Sequence, residues 1–258
     1  MRIAISGTAA QGKTTLINDF LKKYPNYTTP KKTYRDVIST DSHSKSTNKD
    51  TQWDILNFMV DSLTEHGDKD QYVIHDRCPL DNIVYSLWAH AKGEDDNSIN
   101  EKFIKKCIPL VRESMKFLDI IFFIPITNAT EANIEDDKFR ETDVEYIQEI
   151  DNLFKAMHSG WQNPESQFFP REDRPGMIEV FGNPEERIKM IGFYVNDDGD
   201  MYGDKDSMVN NDLYDQFGFP IAEEEESITW IDKETETPKT GKVFKKKTKN
   251  KSKRKIYE

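Results

Sequence analysis

Cysteine is nearly absent from the chain. Cys78 and Cys107 are the only two among 258 residues, too few for a disulfide framework and in keeping with a reducing compartment. No apolar run reaches 18 residues, which excludes a conventional transmembrane helix. The N-terminal MRIAISG offers a short strand-like run and no signal-peptide core. The sequons at Asn26 and Asn128 therefore carry no expectation of glycosylation. Hydrophobic residues make up 36%, below the roughly 45–50% of globular domains. Aromatic content of 11% nevertheless supplies enough bulk for a buried core. These deficits describe a cytoplasmic-type soluble chain with no membrane partner and much charged surface.

The net charge of −11 conceals two opposite segments. Residues 238–258 carry ten Lys/Arg and one acid, or +9, while residues 1–237 carry 26 basic and 46 acidic side chains, or −20. Three regions are expected: a domain over 1–192, an acidic, hairpin-bearing extension over 193–237, and a disordered basic tail over 238–258. The tail lacks an apolar period, and such polybasic arms bind nucleic acid through counterion release.

Within the first region, short apolar runs alternate with helical patterns. Strands are expected at Arg2–Ser6, weakly near Tyr27–Thr29, and at Tyr72–Asp76, Leu118–Ile124 and Met177–Phe181. Runs such as IIFFI are apolar at every position, as strands buried on both faces of a parallel sheet must be. Leu80, Ile83, Val84, Leu87, Trp88 and Ala91 fall on one helical face. Phe103 to Met115 makes a second such stripe, and Val144, Ile147, Ile150, Phe154 and Met157 a third. This alternation predicts an α/β domain built on a parallel sheet. The cluster Asn196-Asp-Asp-Gly-Asp does not keep the spacing of a calcium-binding EF-hand loop, because Met201 stands where that loop needs glycine. An acidic turn is expected there.

The strongest motif is Gly7-Thr8-Ala9-Ala10-Gln11-Gly12-Lys13-Thr14, followed by Thr15. It matches G-x-x-x-x-G-K-[ST] and lies between a strand and a helix, the setting this motif requires. Glycines let successive N–H groups converge on phosphate oxygens, and the following helix adds the positive end of its dipole. Lys13 would reach the outer phosphates and the Thr14 hydroxyl would hold Mg²⁺. ATP, with Mg²⁺, is the ligand this pattern calls for.

A second run ends in an acid, Tyr72-Val-Ile-His75-Asp76-Arg77. The carboxyl edge of a parallel strand is where open α/β sheets bind ligands. Asp76 could hold Mg²⁺ or accept a proton from an attacking hydroxyl, and Arg77 could clamp a phosphate oxygen. Equally, Asp76 or Asp81 could cap the helix that follows. His75 points to the opposite face of the strand and reads as a packed histidine.

The N-terminal P-loop, the stretch Asp76-Arg-Cys-Pro-Leu-Asp-Asn82 and an Arg-bearing segment before a helix resemble P-loop nucleoside and nucleotide kinases. The likeness is to the deoxynucleoside and thymidylate kinase group and to kinases with a ribosylnicotinamide-kinase-like domain, many of them phage-encoded. It spans about residues 1–192. It implies a P-loop NTPase fold with an about five-stranded, mostly parallel sheet flanked by helices, and transfer of the ATP γ-phosphoryl group to a nucleotide or nucleoside. By the resemblance, Asp76 activates the acceptor hydroxyl or binds Mg²⁺ and Arg77 contacts phosphates. Lys138 and Arg140 belong to a lid over ATP, Glu179–Arg187 lies near the adenine, and Gln52 reads the base unless it is simply an exposed helix residue. Where related kinases carry a glutamate after the second strand, this chain has Thr29-Pro-Lys31-Lys32-Thr-Tyr-Arg35. Those cations favour a phosphate-bearing acceptor, which leans the reading toward a deoxynucleoside monophosphate. A DNA-directed kinase held by the basic tail, or an ATPase without an organic acceptor, are the alternatives.

Overall fold

The computed structural model describes residues 1–37, 48–68, 71–93, 99–127, 143–163 and 165–202, together with the backbone of 223–231 and 238–245. The chain divides into two compact units, Met1–Lys205 and Asp206–Glu258.

The first unit is a parallel sheet with helices on both faces. Its strands are β1 (Arg2–Ser6), β2 (Val73–Asp76), β3 (Ile120–Phe123) and β4 (Gly176–Glu179), in the spatial order β2-β1-β3-β4. The register sets Ile5 beside Asp76 and beside Phe122. Every residue of β1 and β3 is buried, as their apolar residues require, and Arg2 and Ser6 of β1 are paired with Asp119 and Asp81. The helices are α1 (Lys13–Lys23), α2 (Lys49–Glu65), α3 (Pro79–Lys92), α4 (Glu101–Ser114), α5 (Val144–Trp161) and α6 (Pro184–Ile191). Asn48, Asn100, Asp143 and Asn183 cap α2, α4, α5 and α6 by accepting first-turn N–H bonds, which locates these helix starts.

One face of the sheet joins α1 through Ile3, Ile5, Ile74 and Phe122 packed with Leu16, Ile17 and Phe20. On the opposite face Phe123 stacks on Phe154 of α5 at 5.9 Å between centroids. The α5 stripe is inward as expected from Ile147 onward, but Val144, the first residue of the helix, is 65% exposed.

The expected fifth strand near Tyr27–Thr29 shrinks to one parallel bridge, Thr28 with Val73. Thr28 donates to the Tyr72 carbonyl at 3.0 Å and accepts from Ile74 at 2.9 Å. Pro30 follows two residues later without an N–H to extend the ladder.

The boundary expected at 192 also moves. Val195 is buried and bridges Met201, and the acidic turn between them packs within the first unit, which runs to Lys205. Asn26 donates to the Asp198 carbonyl, the Tyr27 hydroxyl to the Gly199 carbonyl at 2.6 Å, and the Tyr72 hydroxyl to Asp200 at 2.6 Å. In the second unit, β5 (Glu223–Ile231) and β6 (Pro238–Lys245) form an antiparallel pair. The first eight residues expected to be a disordered tail are thus a strand. The register sets Glu223 opposite Lys245 and Ile231 opposite Pro238. The remaining basic residues, 246–258, lie outside the described residues.

Candidate functional site

The loop between β1 and α1 turns through three left-handed residues, Gly7 (φ 136°), Ala10 (58°) and Gly12 (69°). A Cβ on Gly7 would stand 2.7 Å from the Ile124 carbonyl oxygen, so close approach to the end of β3 excludes any other residue. Gly12 starts α1 without a side-chain cap. The N–H groups of that first turn consequently have no capping oxygen, which is the arrangement that receives anions. Thr14 and Thr15 are exposed on this turn, whereas Thr8 is buried and donates its hydroxyl to the Ile147 carbonyl at 3.1 Å. Gln11 is buried with both side-chain amide atoms unpartnered, and its carbonyl accepts from Arg187 at 2.5 Å. Arg187 also donates to the Gly182 carbonyl, tying the segment after β4 to the loop.

Lys13 is 8% exposed, with its ammonium donating to the Thr8 carbonyl across the loop. Burial, and then the charge of Arg77, hold its pKa well below the ordinary lysine value, while Asp76 and Asp81 pull it back up. These four charged side chains therefore surround one loop.

Asp76 ends β2 beside Ile5. It is half-buried, and its Oδ1 is enclosed without a hydrogen-bond partner. It borders a narrow cleft, partly open to solvent, whose walls include Thr29, Lys32, Tyr34, Met59 and Arg77. His75 also reaches this cleft. Burial, with the nearby charges of His66 and Arg2, drives its imidazole down to about 3, so it is a neutral packed side chain near pH 7.

The remaining expected residues scatter. Lys32 borders the cleft, whereas Lys31 is exposed and outside its lining. Arg35 is exposed on the short 3-10 turn Tyr34–Asp36, 5.5 Å from the Tyr34 ring. Gln52 is not an exposed helix residue. It is buried between α2 and α3, where its Oε1 and its carbonyl accept from Asn82 at 2.6 and 3.0 Å. Lys138 and Arg140 lie outside the described residues.

Arg77 is the departure with most chemistry in it. It is a non-glycine residue at φ 73° and only 7% exposed. Its guanidinium donates to the Gly7 carbonyl and to Asp81 Oδ1, both at 2.9 Å, and to the Tyr85 hydroxyl at 3.0 Å. The Tyr34 and Tyr85 rings lie 5.4 and 5.1 Å from it. Asp81 does not cap α3 directly. Cys78 is the cap, and Asp81 at the third helical position accepts from the Cys78 N–H at 3.0 Å and from the Ser6 hydroxyl at 2.9 Å. Sequence reasoning gave no role to Tyr34 or Tyr85, and gave Arg187 only a place in the segment near the adenine. The signal for Asp81 was present in Cys-Pro-Leu-Asp, with proline at the first helical position and an acid at the third.

A glycine-turned loop between a parallel strand and a helix, beside a strand that ends in an acid, defines a P-loop nucleotide-binding α/β domain. A family profile described as an AAA domain matches residues 2–167, and the chain belongs to that family. Two solved structures share its fold. Deoxyadenosine kinase from M. mycoides, with dCMP and dCDP bound, is 16% identical over 74% of this chain and 96% of that one, with a TM-score of 0.51. NadR protein in complex with NR is 13% identical over 74% of this chain, with a TM-score of 0.52. The chain spans about half of the NadR chain, 48%. No curated protein sequence matches it. Among the described residues no helix is long and apolar enough to cross a membrane.

Proposed function

We propose that this protein is an ATP-dependent kinase that transfers the γ-phosphoryl group to a nucleotide or nucleoside, with a deoxynucleoside monophosphate as the favoured acceptor. The observation that carries the reading is the Asp76 carboxylate, with one enclosed, unpartnered oxygen between the Lys13 loop and a side cleft. A bare ATP hydrolase needs no second cleft beside its acid. The deoxyadenosine kinase and NadR structures, which share this fold, carry nucleotides and NR respectively.

In this reading the loop N–H groups, the N-terminus of α1 and Lys13 hold the ATP phosphates. In the cleft a phosphate oxygen of the monophosphate acceptor bonds to the γ-phosphorus as the bond to the β-phosphate oxygen breaks, with Asp76 orienting the acceptor; with a nucleoside acceptor the attacking hydroxyl gives its proton to Asp76. Lys32 at the cleft wall pairs with a phosphate on the acceptor. The exposed Thr14 hydroxyl would hold Mg²⁺, which would neutralise charge on the phosphates. No group of three or more metal-ligating His, Cys, Asp or Glu occurs among the described residues, so such an ion would take most of its ligands from ATP and water.

The test offers γ-labelled ATP and Mg²⁺ with nucleosides, deoxynucleoside monophosphates or DNA ends. Label in a monophosphate acceptor, absent with Asp76→Asn although ATP still binds, supports the proposal. Label in DNA moves the acceptor to a polynucleotide, and free phosphate with every acceptor refutes the kinase reading.

A further inference from the structure

We infer that Arg77 and Asp81 form a buried brace that sets the shape of the phosphate loop, making Arg77 a positioning residue and not a contact to the transferred phosphoryl group. The inference rests on the nucleotide-binding reading above and deepens it. Both backbone polar groups of Gly7 are held by this one ion pair. Asp81 Oδ1 accepts from the Gly7 N–H at 3.3 Å, Arg77 donates to the Gly7 carbonyl at 2.9 Å, and the two charges meet at 2.9 Å. The second Asp81 oxygen takes the Ser6 hydroxyl and the Cys78 N–H. A single carboxylate, 1% exposed, thus joins the exit of β1 to the start of α3.

Physical chemistry gives this brace a purpose. Glycine is needed at position 7 because of the contact with Ile124, yet glycine has the widest backbone freedom of any residue. A loop that must aim several N–H groups at one anion binds better if that freedom is removed beforehand. Ion-pair partners gripping the N–H and C=O of Gly7 remove it. Arg77 is suited to the task because its planar fork reaches two acceptors at once. Its own left-handed backbone turns it back over the loop. Its ring contacts with Tyr34 and Tyr85 and its bond to the Tyr85 hydroxyl hold it there. The pair is internally neutral, so it orders the loop while leaving phosphate attraction to Lys13 and the N–H groups.

ADP is the discriminating probe, because it lacks the transferred group. Its Kd is measured for the wild type, Arg77→Met, Asp81→Asn and the double variant, with amide hydrogen exchange over residues 7–14 of the ligand-free proteins. Each single change is expected to weaken ADP binding at least tenfold and to speed exchange in the loop. The double variant should be no worse than the weaker single one, and Arg77→Lys should recover part of the loss. If the strong variants fail to fold, Tyr85→Phe removes one restraint on Arg77 and should show the same two effects on a smaller scale. Unchanged ADP affinity and exchange in Arg77→Met or Tyr85→Phe would overturn the brace, as would additive losses in the double variant. A wild type that ignores ADP, while Arg77→Met still speeds loop exchange, would refute the nucleotide reading and support the brace.

Discussion

The buried imidazole of His75 makes the stability of this protein depend on pH in a calculable way. His75 is 5% exposed, its ring stands edge-on to that of His66 at 5.8 Å, and burial is the main cause of its low folded pKa of about 3 against an ordinary value of 6.5. A folded pKa below the unfolded one means that the unfolded chain takes up a proton first as the pH falls. The stability tied to a neutral His75 is therefore whole above about pH 6.5, drains away below it and is gone below about pH 3. At about 1.4 kcal/mol per pH unit, the loss between pH 7 and pH 5 is about 2 kcal/mol. The assay is urea unfolding of the wild type and His75→Phe at pH 7, 6 and 5. Comparing the two slopes cancels every other titrating group. The wild type should lose about 2 kcal/mol more than the variant over this range. Parallel pH profiles would refute the reasoning and mean that His75 is solvated or paired in solution.

Two further outcomes follow from the same site. Because burial and Arg77 depress the pKa of Lys13, its charged form is disfavoured in the folded state below the ordinary lysine value, and the lysine destabilises the ligand-free protein at neutral pH. Lys13→Met should raise the melting temperature without nucleotide and abolish the further rise that ATP produces; a variant that melts lower in the absence of nucleotide would contradict this. Lys32 borders the cleft, so Lys32→Ala should raise the KM of a monophosphate acceptor about tenfold, the loss of one charge-assisted hydrogen bond, and leave the KM of ATP alone. An unmoved acceptor KM removes Lys32 from the binding surface.

The parts legible in the sequence were those governed by short-range pattern. The strand Arg2–Ser6 falls where its apolar centre Ile3-Ala4-Ile5 placed it, and the loop after it takes the left-handed turns that Gly7 and Gly12 permit. The helix stripes through Leu80 and Phe103 are buried over most of their length as their period requires, with Leu87, Trp88 and Ile108 half-buried and Ala91 exposed at the end of α3. Failures came where the partner was distant. The second strand near Thr28 depended on a ladder that Pro30 cuts short, and the turn at Asn196–Asp200 gained its place by bonding to Asn26, Tyr27 and Tyr72, more than a hundred residues away. Pro238–Lys245, within the segment expected to be a disordered tail, pairs as a strand with Glu223–Ile231.

The site divides along the same line. By itself the sequence determined that a phosphate-binding loop exists, where it starts, and that an acid ends a neighbouring strand, because loop chemistry depends on residue types at fixed spacing. Only the tertiary structure placed the side chains of Arg77 and Gln52 among their partners. Each is a polar side chain whose surroundings turned on which groups the fold brought within 3 Å. For Arg77 these were the Gly7 carbonyl and Asp81, and for Gln52 the Asn82 amide. A hydrogen bond inside a protein is a statement about distance and burial, and a sequence carries neither until strands and helices have been packed.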